Sequence, residues 1–101
     1  MLKKRYLKSR PECKVTFKLD KSYIDNANSV HLVGEMNNWD EESTPMKKLK
    51  DGSFKLELNL AKDREYRFRY KVNQNYWIND EAADKYQPSP YSGVDDSVVV
   101  V

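Results

Sequence analysis

The sequence predicts an all-β protein, a β-sandwich of about six to eight mostly antiparallel strands. Three observations carry this. β-Branched and aromatic residues concentrate in short runs that alternate with polar ones, the period of a strand buried on one face. Turn-forming residues separate these runs at short intervals. No long segment has helical period, and alanine is scarce where tyrosine, at 7 residues, is abundant.

The first segment, Lys3 to Arg10, is basic and aperiodic, so residues 1–12 are expected as a partly flexible terminus and 13–101 as the folded domain. Val15, Phe17 and Leu19 alternate with Thr16 and Lys18 as the first strand. Asp20 to Asn28 is polar and turn-rich, with Tyr23 and Ile24 as anchors. Val30, Leu32 and Gly34 form the inner face of the next strand, with His31, Val33 and Glu35 on its other face. A loop from Met36 to Ser43 places Asn37, Asn38 and Asp40 around Trp39. Met46 and Leu49 mark a short strand, and Asp51-Gly52 is a hairpin turn leading into Phe54, Leu56, Leu58 and Leu60 at period two. The following strand sets Tyr66, Phe68, Tyr70 and Val72 on one face and Arg67, Arg69 and Lys71 on the other. A turn at Asn73 to Asn75 returns the chain through Tyr76, Trp77 and Ile78. Glu81 to Asp96, with Pro88, Pro90 and Gly93, has no sustained period and is expected as a loop with one helical turn near Glu81 to Asp84. Ser97 and the closing valines fit a strand buried on both faces.

Composition bounds the function. A chain of 101 residues and 11.9 kDa is one domain, without room for a catalytic barrel. With 34% charged residues and a mean hydropathy of −0.92 its core is small and its surface heavily solvated. A net charge of +2 argues against a nucleic-acid binder that works by neutralising phosphates. One cysteine, Cys13, and one histidine, His31, supply neither an internal disulfide nor a zinc ligand set nor a nucleophilic triad. No cofactor is implied. No apolar run is long enough to cross a bilayer, and the start lacks the apolar stretch of a signal peptide, so a soluble cytoplasmic protein is expected. The acidic pairs Glu41/Glu42, Asp80/Glu81 and Asp95/Asp96 do not suit a glycosidase acid and base, because neighbours on a strand face opposite ways and no apolar pocket is evident to raise one pKa. The balance favours binding over catalysis.

Trp39 and Trp77 each stand at a strand end among amides and acids, where an indole face stays partly exposed. Such faces suit sugar rings, whose C–H groups pack on the ring while hydroxyls seek polar partners. Arg69 and Lys71, near the Trp77 turn, supply donors for hydroxyl oxygens, whereas Arg67, farthest from it, is expected as plain solvated surface.

Val30 to Trp39, Met46, Asp51 to Phe54, Tyr66 to Val72, Trp77 and Asn79-Asp80, in this order, resemble the isoamylase early-set domain, or family-48 carbohydrate-binding module. The group includes the glycogen-binding domain of the AMP-activated protein kinase β subunit and the N-terminal modules of glycogen branching and debranching enzymes. The stretch from Ala83 to Val99 is similar to small stand-alone bacterial forms. The resemblance spans Cys13 to Val101 and implies an immunoglobulin-like sandwich and an α-1,4-glucan or maltooligosaccharide ligand. It implies a site of Trp39, Trp77 and Arg69, with Asn38 beside the first tryptophan, and a last loop in which Ser92, Gly93, Val94 and Asp96 line the lip of the groove. Arg69 stands where the kinase module has lysine and Asp96 where it has asparagine, and the turn after Val72 is one residue longer. A second reading is a monomeric accessory module that docks on a glucan-processing enzyme and binds little sugar. Single-stranded nucleic acid is disfavoured, because Tyr66, Phe68 and Tyr70 share the inward face and leave the basic stripe without stacking partners.

Overall fold

In the computed structural model, residues 2–24, 27–74, 76–89 and 94–101 are described. They hold nine strands: β1 (Leu2–Tyr6), β2 (Glu12–Leu19), β3 (Val30–Gly34), β4 (Lys47–Lys48), β5 (Phe54–Ala61), β6 (Glu65–Val72), β7 (Tyr76–Ile78), β8 (Lys85–Pro88) and β9 (Asp95–Val100). Two antiparallel sheets face each other. One has the order β1-β2-β5-β4 and the other β3-β6-β9-β8, with β7 alongside β6.

Strand alternation accounts for the sandwich. In β2, Cys13, Val15, Phe17 and Leu19 are buried while Lys14, Thr16 and Lys18 face out. In β6, Tyr66, Phe68, Tyr70 and Val72 are buried in the same way. The two rows meet between the sheets, where Phe17 and Phe68 make an edge-to-face contact with centroids 5.3 Å apart. Each such side chain contributes roughly 1.5–3 kcal/mol on leaving water. The Asp51-Gly52 turn closes the β4–β5 hairpin. Asp51 Oδ1 accepts from the Ser53 amide at 2.9 Å, and Gly52, at φ +90°, takes a conformation open to glycine.

Two segments differ from the sequence expectation. The basic N-terminus is not frayed over residues 2–6: it forms β1, paired to β2 from Leu2↔Phe17 to Tyr6↔Cys13. Its stability comes from the backbone ladder on the open edge of β2, and Lys4 Nζ reaches Asp84, just before β8, at 2.6 Å. Within the expected loop, Lys85–Pro88 is a strand, β8, paired to β9. Pro88 is tolerated because β8 is an edge strand. Glu81 to Asp84 makes a turn rather than a helix, with the Ala82 amide bonded to Asp80 Oδ1 at 2.8 Å.

β6 is the axis of the second sheet. One of its sides pairs with β3, and the other pairs first with β9, over Glu65 to Phe68, and then with β7, over Tyr70 to Val72. Asn79 joins β7 to β9: its Nδ2 donates to Asp95 O at 2.7 Å, and its Oδ1 accepts from the Ser97 amide at 3.0 Å. Beneath it the fully buried Asp80 accepts from the Tyr70 hydroxyl at 2.7 Å. The same packing holds β7, and with it Trp77, against the sheet.

Candidate functional site

The outer face of the five-stranded sheet carries the site. Arg67, Arg69 and Lys71 project from β6 on the side away from the core, as strand parity requires. In register with them lie Val33 opposite Arg69, Val98 opposite Arg67 and Trp77 opposite Lys71. Val33 and Val98 are each 1% exposed although they face outward, because the long basic side chains lie over them.

Trp39 is delivered by a sharp chain reversal after β3. Gly34 lies so close to β6 that a Cβ there would sit 2.4 Å from Arg67 O and 2.6 Å from Phe68 Cβ. A single turn, Glu35–Asn37, follows. The Asn37 carboxamide ties it down: Oδ1 accepts from the Gly34 amide at 3.0 Å, and Nδ2 donates to Leu32 O at 2.8 Å and Thr44 Oγ1 at 2.9 Å. Asn38 and Trp39 then adopt φ of 57° and 58°, in the left-handed region, and the Trp39 amide returns to Gly34 O at 2.8 Å. Left-handed backbone is unusual for a tryptophan and holds the indole at the surface at some conformational cost.

Trp39 and Trp77 are 41% and 42% exposed. Together with Val33, Glu35, Glu41, Arg67, Arg69, Ser89 and Asp96 they line one cleft of about 540 Å³. A second hollow of about 360 Å³ adjoins it and is bounded by Trp39, Glu41, Lys71 and Gln74 among others. The two share Trp39 and Glu41, so the concavity runs along the outer face of β6.

Its charges are organised in pairs. Arg69 Nε donates to Asp96 Oδ1 at 2.8 Å, and Arg67 Nη1 lies 3.9 Å from Asp96 Oδ2. Arg67 Nε donates to Gln87 Oε1 at 3.0 Å, and the Arg67 amide donates to Glu35 Oε1 at 2.6 Å. Lys71 Nζ pairs with the Glu41 carboxylate and stands 5.4 Å from the centroid of the Trp77 ring, a cation–π contact. The cleft thus presents flat apolar rings beside alternating donors and acceptors, a surface suited to holding a polyhydroxylated ligand.

The structure brings Trp39, Trp77, Arg69 and Asp96 to one cleft and puts Lys71 in the adjoining hollow. Three expectations change. Arg67 is not remote solvated surface but part of the cleft wall, which its shared parity with Arg69 signalled. Asp96, 3% exposed, lies at the floor as the arginines' counter-ion and not at an open lip. Asn38 and Val94 are exposed and do not line either hollow. Ser92 and Gly93 lie outside the described residues. Glu35, Glu41 and Ser89 were missed: no spacing connects them to β6, and only the chain reversal and the β8 edge bring them there.

A two-sheet antiparallel sandwich with a solvent-open, aromatic-flanked cleft on one outer face defines a β-sandwich ligand-binding module. More specifically, the chain belongs to carbohydrate-binding module 48, the isoamylase N-terminal domain, whose family model matches residues 8–92. That is a family of non-catalytic binding modules with an immunoglobulin-like fold. No curated protein matches the chain.

Proposed function

We propose that the protein is a non-catalytic α-glucan-binding module, taking a glycogen- or starch-like chain or a maltooligosaccharide along the outer face of β6. The observation that carries the reading is the exposure of both indoles on one polar-lined cleft. In this reading Trp39 and Trp77 are the stacking platforms. Arg69, aimed by Asp96, offers its terminal nitrogens to hydroxyl oxygens, and Lys71 does so after yielding its contact with Glu41. The cleft is shallow and wet, so affinity is modest, on the order of tens of micromolar to millimolar. Titration with maltoheptaose, followed by amide and indole NMR shifts, tests it. Shifts confined to β6, β7 and the Trp39 loop support it, and no perturbation of either indole at millimolar sugar refutes it.

A further inference from the structure

The opposite outer face, on the four-stranded sheet, is basic. Register places Arg5 directly across from Lys14, and Lys18, Lys55 and Lys47 in one row across β2, β5 and β4. Lys3 and Thr16 share the row between, where Glu57 is the one acidic side chain and accepts from Thr16 Oγ1 at 3.4 Å. Six cations thus share this face with two carboxylates, Glu57 and, at the start of β2, Glu12, which Arg10 approaches at 3.6 Å. Like charges directly opposite each other weaken a sheet. Lysines on the edge strands β1 and β4 have a use in blocking edge-to-edge pairing, but Lys14, Lys18 and Lys55 stand on the two inner strands, where that use is absent. Lys3, Arg5, Lys14, Lys47 and Lys55 have no ion-pair partner among the described residues.

We propose that this face is a docking surface for an acidic face of a partner protein, separate from the cleft on the other sheet. Three features select this partner chemistry over other polyanions. Its cations are spread over three neighbouring rows of the sheet and not in a single file that would track a phosphate chain. The outward positions of its four strands hold no aromatic ring on which bases stack, and the exposed Tyr6 at the end of β1 has the opposite parity, across from buried Cys13. Its centre is the Thr16–Glu57 pair, which a uniformly anionic lipid surface repels and which a protein can match with a donor inside an acidic rim.

The test uses the full chain and does not depend on sugar binding. The probes are a deca-glutamate peptide, a deca-glutamate variant with one central lysine, phosphatidylserine vesicles, and a thymidine oligonucleotide, each titrated at 150 mM salt. Expected are amide shifts confined to β1, β2, β5 and β4 with the peptides, tighter binding of the lysine-centred one, and unmoved indole signals. K14E combined with K55E is expected to weaken peptide binding at least tenfold. Because the substitutions relieve like-charge rows, the same variant is expected to melt at or above the wild-type temperature and to keep its response to maltoheptaose. Absence of localised shifts, stronger binding to vesicles or oligonucleotide than to the peptides, or a variant that melts below wild type overturns the proposal.

Discussion

Arg69 and Asp96 form the charged centre of the cleft floor: Nε to Oδ1 is 2.8 Å, with side chains 15% and 4% exposed. They belong to β6 and β9, so the pair ties two strands together while fixing where the remaining guanidinium nitrogens point. Removing one partner of a largely buried pair strands the other, and here Arg67 loses the same carboxylate. Asp96→Ala is therefore expected to lower stability by about 3 kcal/mol. Asp96→Asn, which keeps an acceptor, is expected to cost about half as much. Urea denaturation measures both, and an alanine variant as stable as wild type would show the pair to be incidental.

Trp39 allows a separation of stability from binding. Its φ of 58° is strained for any side chain with a Cβ. Trp39→Gly relieves that strain and Trp39→Ala does not. The glycine variant is expected to be the more stable by about 1 kcal/mol. On the proposed α-glucan reading both remove one stacking face and are expected to lose at least tenfold in maltoheptaose affinity, with Trp77→Ala behaving alike. Paired melts and titrations decide it, and undiminished affinity in either Trp39 variant removes that residue from the site.

What was legible in the sequence was what strand parity writes locally. The inward row Tyr66, Phe68, Tyr70, Val72 and its basic counterpart were readable because burial on one face imposes period two. The Asp51-Gly52 turn was readable because its chemistry is contained in adjacent residues. β1 and β8 were not, since neither Lys-Lys-Arg nor Gln-Pro shows an apolar face: those strands exist through ladders to β2 and β9 and through the long-range Lys4–Asp84 pair. The tryptophans of the site stood out by residue type, but Glu41 enters through the left-handed reversal at Asn38 and Trp39, which no periodicity encodes. The family resemblance points to Asp96, yet its burial under two arginines depends on where β9 abuts β6, a tertiary fact.

Gly34 is expected to be intolerant of even a methyl group. Its φ of −173° is ordinary extended backbone, so the constraint is space and not conformation. Arg67 O at 2.4 Å and Phe68 Cβ at 2.6 Å cannot both retreat without parting β3 from β6. Gly34→Ala is expected to cost about 3 kcal/mol or more. The displaced turn carries Trp39, so sugar-dependent indole shifts should shrink in whatever folded protein remains. A variant with wild-type stability would mean that the two sheet strands yield more easily than their packing implies.

The Tyr70 hydroxyl gives the fold a specific weakness in alkali. Burial first, and then the neighbouring Asp80 carboxylate, which accepts a hydrogen bond from it at 2.7 Å, push its pKa well above the ordinary 10.0. A group whose pKa is raised by folding contributes stability that is complete below the unfolded-state value and is lost as pH climbs from there toward the folded-state value. Above pH 10 the unfolded chain releases this proton and the folded one holds it, so stability from this group should fall by about 1.4 kcal/mol per pH unit. Tyr70→Phe removes that dependence but deprives buried Asp80 of a donor, an expected loss of about 1–3 kcal/mol at neutral pH. Urea midpoints at pH 8, 10 and 11 should therefore show wild type and variant converging as pH rises. Parallel lines across that range would mean that Tyr70 ionises as readily in the fold as outside it.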